Sequence, residues 1–356
     1  MNSGERTALV EQIAQRVVGY REGEIPAPTS AHVERWVTQF DAQEQADILR
    51  ETAHILGQVY VPKAVVTAFV TKLANNAKLV GDDAKAFWQS VGFLRLQHES
   101  QSQADLLDLL DEVLQANFGL NTERETSTNG TYIYIDDAIF SGNQVRNDLI
   151  KWIEDANVHD TTIHVIVICW HRSGQWYANK NIREVARPRN VVLHWWRSTE
   201  IEDWSNRPEK ASIVNILWPT ELPNDQHVKS WLTAIPEDRR YFIARPAVTS
   251  GRNDFFVSEA SRNVLEQAFL RKGAYIRSLP RDPSALMRPL GYNKLHGPGF
   301  GTMFATYRNC PNNCPLVMWW GDPDAARPLN QWYPLLQRRT RRRNAAADFA
   351  IEDIEF

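Results

Sequence analysis

The run Thr161–Trp170, Thr-Thr-Ile-His-Val-Ile-Val-Ile-Cys-Trp, constrains the fold of this chain more than any other stretch. A strand with one wet face alternates apolar and polar residues. This run is Val and Ile almost throughout, the pattern of a strand covered on both faces in a helix-flanked parallel sheet. Its neighbours agree. Gly92–Gln97, Tyr132–Ile135 and Asn190–Trp196 are short apolar or β-branched runs, and Ser212–Trp218 reads as a further strand. Between them Ala104–Phe118, the residues after Val145, and Gln175–Ala186 carry helical spacing. Strands alternating with helices imply right-handed crossovers, hence an α/β fold with a doubly wound, mainly parallel sheet. Ligands of such sheets sit outside the carboxyl ends of the strands.

One such end carries chemistry. Tyr132–Val145 reads Tyr-Ile-Tyr-Ile-Asp-Asp-Ala-Ile-Phe-Ser-Gly-Asn-Gln-Val. Asp136 and Asp137 stand where the strand should stop. Ser141, Gly142, Asn143 and Gln144 form a small polar turn, and Val145, Leu149, Ile150 and Ile153 follow at helical spacing. A glycine lets backbone approach an anion, and a helix start offers free N–H groups and partial positive charge. Two carboxylates can hold Mg²⁺ or accept hydrogen bonds from ribose hydroxyls. The same residues also describe a strand ending in solvated acids before an ordinary helix cap. Cys169, Trp170, His171 and Arg172 end the next strand at the same edge, where His171 and Arg172 suit the floor or wall of a site but read more simply as loop residues.

The stretch resembles the phosphoribosyl-diphosphate motif of type I phosphoribosyltransferases: apolar strand, Asp-Asp, two or three residues, Thr or Ser, Gly, then two small or polar residues. Asp136, Asp137, Ser141, Gly142, Asn143 and Gln144 match it position by position. The resemblance implies a 5′-phosphate on Ser141–Gln144, catalytic and Mg²⁺-binding roles for Asp136 and Asp137, and a pyrophosphate loop after the first strand, here Ser100, Gln101, Ser102 and Gln103. Two departures bear on catalysis. Asn143 and Gln144 are bulkier than the usual residues of the phosphate loop, and the pyrophosphate loop has no Lys or Arg. Phosphate binding is therefore better founded than turnover, which would be phosphoribosyl transfer or cleavage of a nucleotide N-glycosidic bond.

A second likeness spans about residues 30–340. Trp36 and Phe40, the Asp-Asp and Ser-Gly-Asn-Gln site, and a late block of Asn312, Asn313, Pro315, Leu316, Trp319, Trp320, Trp332, Tyr333, Pro334 and Leu335 are together similar to the phosphoribosyltransferase-like proteins of prokaryotic conflict systems, the PRTase-CE group. That likeness implies an antiphage effector, in some cases within a retron operon. The partners would be a reverse transcriptase with its branched RNA–DNA and a second accessory protein. The alternative is a catalytically inactive sensor or scaffold that binds a nucleotide or nucleic acid.

The remaining sequence sets bounds. Residues 1–78 read as a helical module with helices near 5–20, 30–40, 43–58 and 62–76. Residues 79–218 are the α/β core, 219–340 an insertion and C-terminal α+β extension, and 341–356 a charged tail. Within the extension, helices are expected at 225–234 and over Phe255–Lys272, the second closing at Gly273. Gly297, Gly299 and Gly301 suit turns or a ligand approach. Trp319, Trp320, Trp332 and Tyr333 precede Arg338, Arg339, Arg341, Arg342 and Arg343, a combination that suits single-stranded nucleic acid or a solvated helix end. The net charge of −3 argues against a wholly basic nucleic-acid-binding surface. Three cysteines, an odd and sparse set, fit a reducing cytoplasm, and Cys310 and Cys314 lack companions for a zinc site. No apolar run nears the ~20 residues that span a bilayer.

Overall fold

A computed structural model describes residues 1–97, 101–202, 214–237, 240, 243–245, 254–293 and 297–338. The chain forms two compact units: Lys63–Glu202, and Met1–Pro62 together with Asp203–Phe356. This division differs from the expected module of residues 1–78. The first three helices belong with the C-terminal third, because their apolar faces are buried there.

Helix α1 (Ser3–Val17) is capped by Asn2, whose side chain accepts from the Glu5 N–H at 2.8 Å. Helix α2 (Ser30–Val37) follows the Pro26 and Pro28 breaks and buries Val33, Trp36 and Val37 on one face. Helix α3 (Gln45–Val59) runs directly into the two-residue strand β1 (Tyr60–Val61).

The second unit begins with α4 (Lys63–Ala74), α5 (Ala77–Val80) and α6 (Ala84–Ser90). Trp88 is fully buried; its indole N–H donates to the Ala74 carbonyl at 2.9 Å, and its ring stacks on Phe93 at 6.1 Å. Strand β2 (Gly92–Phe93), helix α7 (Gln101–Phe118), β3 (Thr131–Ile139), α8 (Asn143–Asp155), β4 (Thr162–His171), α9 (Arg172–Ala186) and β5 (Val192–Ile201) complete it. The four strands lie in the order β2-β3-β4-β5, and every neighbouring pair is parallel. The register sets Tyr134 beside Val165 and Val165 beside Trp195. Tyr134, Val165, Val167 and Leu193 pack with Val145, Leu149 and Ile153 of α8 and Ala178 and Ile182 of α9. Each such buried aliphatic side chain is worth about 1.5–3 kcal/mol over exposure. The chain is thus mixed α/β with parallel sheets, consistent with the doubly wound class expected.

The rest of the first unit holds α10 (Gln226–Thr233), α11 (Glu259–Ser278), β6 (Ala305–Thr306) and α12 (Leu316–Trp319). Strand β6 pairs in parallel with β1. Trp36 and Trp332 both donate to the Val317 carbonyl, at 2.9 and 3.0 Å, and Phe40 stacks on Phe269 at 5.6 Å. His32 lies within hydrogen-bond distance of the Tyr333 hydroxyl and the Leu335 carbonyl, both at 2.8 Å. The aromatic residues of the late block therefore close a core with α2.

Two expectations are corrected. Residues 214–218 form no strand; Leu217 N–H donates to the Gly301 carbonyl and Trp218 N–H to Glu266 Oε1, so a turn and a buried carboxylate satisfy this apolar run. Gly273 does not end its helix. It lies inside α11 where the backbone of Pro289 crosses it, too close for any side chain. Among the described residues no helix is long and apolar enough to cross a membrane.

Candidate functional site

Strand β3 runs four residues further than its apolar core predicts, so Asp136 and Asp137 lie within its last turn of ladder rather than beyond it. Both are buried, at 7% and 9% exposure. Asp136 leaves the strand on the side of Tyr134, two residues back, as the pleat requires. Gln97 Nε2 donates to both, at 2.8 Å to the Tyr134 hydroxyl and 2.6 Å to Asp136 Oδ2. Asp136 Oδ1 accepts from Ser102 Oγ at 2.9 Å and from the Asp137 N–H at 2.8 Å. Burial, together with the nearby Asp137 carboxylate, pushes Asp136 up to about 8 despite these donors.

The expected pyrophosphate loop is partly occupied with this task. Ser100 lies outside the described residues, and Gln101 opens α7. Ser102 turns to Asp136. Gln103 is buried; its Oε1 accepts from the N–H groups of Leu96 and Gln97 at 2.8 and 3.0 Å and so fixes the chain that carries Gln97.

The expected phosphate loop follows. Gly142 is the N-cap of α8 and has a φ of 78°, a conformation that favours glycine. A methyl group here would also overlap the Gly174 carbonyl, and one on Gly174 would overlap the Phe140 carbonyl. The start of α9 is thus pressed against the loop, backbone to backbone. Helix α8 has no side-chain cap, although the Asn143 N–H lies 3.4 Å from Ser141 Oγ. Its first N–H groups therefore open beside Ser141 and Gly142. Gln144 is exposed and donates to Asp148 Oδ1 at 2.8 Å, while Tyr134 donates to Asp148 Oδ2 at 2.9 Å. A chain of hydrogen bonds therefore links Gln144, Asp148, Tyr134, Gln97, Asp136 and Ser102, from one expected loop to the other.

Sequence reasoning missed Gln97, Tyr134, Asp148 and Gly174. Two had a signal: Tyr134 is two residues before Asp136 on a strand, and Asp148 four after Gln144 on a helix. At the adjacent strand end His171 is buried beside Ser173 Oγ at 2.8 Å, and Arg172 pairs with Glu202 at 3.1 Å. Burial pushes the Cys169 thiol up.

Metal binding can be tested against these donors. Among the described residues no three His, Cys, Asp or Glu side chains converge on a point. A Mg²⁺ ion suits such a site only when phosphate and water supply most of its ligands. Asp136 already accepts three hydrogen bonds of the roughly four a carboxylate can take. Asp136 therefore keeps one acceptor direction, on Oδ2, and an ion there would have to displace the proton that burial holds on this carboxyl.

The other expected site residues belong to the first unit. Arg338 is half-buried with its guanidinium 5.1 Å from the Trp319 ring centre, while Arg339, Arg341, Arg342 and Arg343 lie outside the described residues. Gly299 and Gly301 abut the backbone of Leu290 and Leu217, which identifies them as close-packing positions. A sequence model of the family described as PRTase-CE matches residues 33–338. No curated protein matches the chain.

Proposed function

The chain belongs to the PRTase-CE family, and from that membership we propose that the end of β3 and the start of α8 bind a 5-phosphoribosyl group. The phosphoribosyltransferase-like character of the protein follows from the family. The observation that carries the proposal is the left-handed Gly142 at the uncapped start of α8, next to the buried acidic doublet. The N–H groups there and the Ser141 hydroxyl grip the phosphate. Asp137 faces the ribose and stabilises positive charge as the anomeric carbon loses its leaving group. Asp136, held by Gln97, Ser102 and the Asp137 N–H, fixes the strand end that aims Asp137. Asp137, with the last acceptor direction of Asp136, would hold Mg²⁺, which when bound would neutralise a diphosphate leaving group.

In this proposal the protein acts as the effector of an antiphage system of retron type, beside a reverse transcriptase with its branched RNA–DNA and a second accessory protein. The family resemblance supports that setting. Calorimetric titration with phosphoribosyl diphosphate, with and without Mg²⁺, tests the site: saturable binding is expected, weakened at least about tenfold by Ser141→Ala with Asn143→Ala. Nucleotide pools in cells test the chemistry. Expression of the wild type should deplete a nucleotide, and Asp136→Asn with Asp137→Asn should restore it. Binding without depletion would select the second reading, a nucleotide-binding sensor or scaffold without catalysis, which the tightly hydrogen-bonded Asp136 favours. No binding would remove both.

A further inference from the structure

Helix α9 carries a surface that the phosphoribosyl site does not use. Its inner face buries Gly174, Ala178, Ile182 and Ala186, four residues apart. Its outer face presents Arg172, Trp176, Lys180, Arg183 and Arg187, all exposed and spaced at helical intervals. Trp176 is 60% exposed, and among the described residues it is the one aromatic side chain in the set of exposed large apolar residues. In a chain that buries Trp36, Trp88 and Trp320 almost completely, an indole in water is unexplained by packing. Lys180 Nζ lies 5.6 Å from its ring centre. The one exposed acid on this helix is Glu184. Arg172 is paired with Glu202, which leaves Lys180, Arg183 and Arg187 as the cationic track beyond the tryptophan.

The geometry points to single-stranded nucleic acid as the occupant of this face: we propose that a base stacks on Trp176 while Lys180, Arg183 and Arg187 follow the phosphates. A flat exposed ring flanked by cations matches the pairing of stacking platform and basic groove that such ligands require. A closed duplex would hide its base faces from the ring. A membrane-surface helix needs a broad apolar outer face, and here the apolar face is turned inward. From Lys180 to Arg187 the cationic track is about 10 Å long and can meet neighbouring phosphates of one strand. The surface lies half a turn around the helix from Gly174, on the side opposite the loop that Gly174 touches. The inference stands apart from phosphoribosyl binding and from the arginines at 338–343.

Fluorescence anisotropy tests it on the full-length protein, with labelled oligo(dT) and oligo(rU) of about 15 nucleotides and a hairpin duplex as control. The wild type should bind the single strands better than the duplex. Trp176→Ala should weaken binding about tenfold. Lys180→Glu with Arg183→Glu and Arg187→Glu should abolish it, and Lys180→Gln with Arg183→Gln and Arg187→Gln should flatten the salt dependence by a slope of about 2 between about 50 and 200 mM. All substitutions are on exposed residues, and an unchanged melting temperature shows that the fold is kept. The proposal is overturned if the wild type binds no oligonucleotide at low salt, if the variants bind as the wild type does, or if only anionic phosphatidylserine vesicles are bound. Titration of the same variants with phosphoribosyl diphosphate separates the two sites, since that affinity should not change.

Discussion

Gly142 and Gly174 meet backbone to backbone, and each position is intolerant for a steric reason. Gly142→Ala would add the cost of a left-handed alanine, roughly 1–2 kcal/mol, to the overlap with the Gly174 carbonyl. A loss of at least about 2 kcal/mol is expected in denaturant unfolding, together with loss of phosphoribosyl diphosphate binding. Asp136 makes a different prediction. Its folded value of about 8 lies above the ordinary 3.8. The folded state therefore holds its proton more tightly than the unfolded chain does. The stability this gives is complete below about pH 4 and is lost as pH rises to about 8. Asp136→Asn removes the titration, and the Gln97 amide can turn to accept from it. The melting temperature of the wild type minus that of the variant should fall from pH 5 to pH 8, by an amount set by a few kcal/mol. A difference that stays flat with pH would contradict the burial argument. Of this site the acid doublet and the Ser-Gly bend were legible in sequence, because they are contiguous. Gly174 and Gln97 were not, since each acts on a residue brought near only by the parallel ladder.

At the scale of elements, periodicity located the strands and helices of the second unit well and misjudged their ends. Strand β4 appeared within a residue of its expected place because its Val/Ile run has no competing period. Helix α9 began three residues before its expected start, since polar Arg172 and Ser173 look like loop until Gly174 is seen packed on Phe140. Apolar content alone could not tell that residues 214–218 are served by Glu266 and Gly301 instead of a sheet. The join between α3 and α11 was equally silent. Glu51, fully buried on α3, accepts from the N–H groups of Val257 at 3.1 Å and Ser258 at 3.3 Å, and from the Ser261 hydroxyl, at the start of α11. Its sequence context is an ordinary acidic helix position. Glu51→Ala strips three donors of their acceptor and should cost about 3 kcal/mol. Urea unfolding measures this, and a loss below about 1 kcal/mol would show that water replaces the carboxylate.

At the scale of the molecule, Lys63–Glu202 is one contiguous stretch that falls, along the sequence, between the two segments of the other unit. Its parallel sheet and hydrophobic core are drawn from its own residues. Expressed alone, residues 63–202 should melt cooperatively by circular dichroism, whereas deletion of residues 1–62 from the whole chain should leave the C-terminal third protease-sensitive. A non-cooperative fragment would mean that the sheet depends on the rest of the chain.

Trp36 and the Val317 carbonyl that receives its indole proton are 281 residues apart in sequence. At translation rates of about 5–20 residues per second, roughly 15–60 s separate their emergence from the ribosome. Through that interval Val33, Trp36 and Val37 are an adhesive surface on a nascent chain. Chaperone capture of α2 during synthesis, and rapid clearance of any product cut short before Val317, follow from a first unit that cannot close until that residue is made.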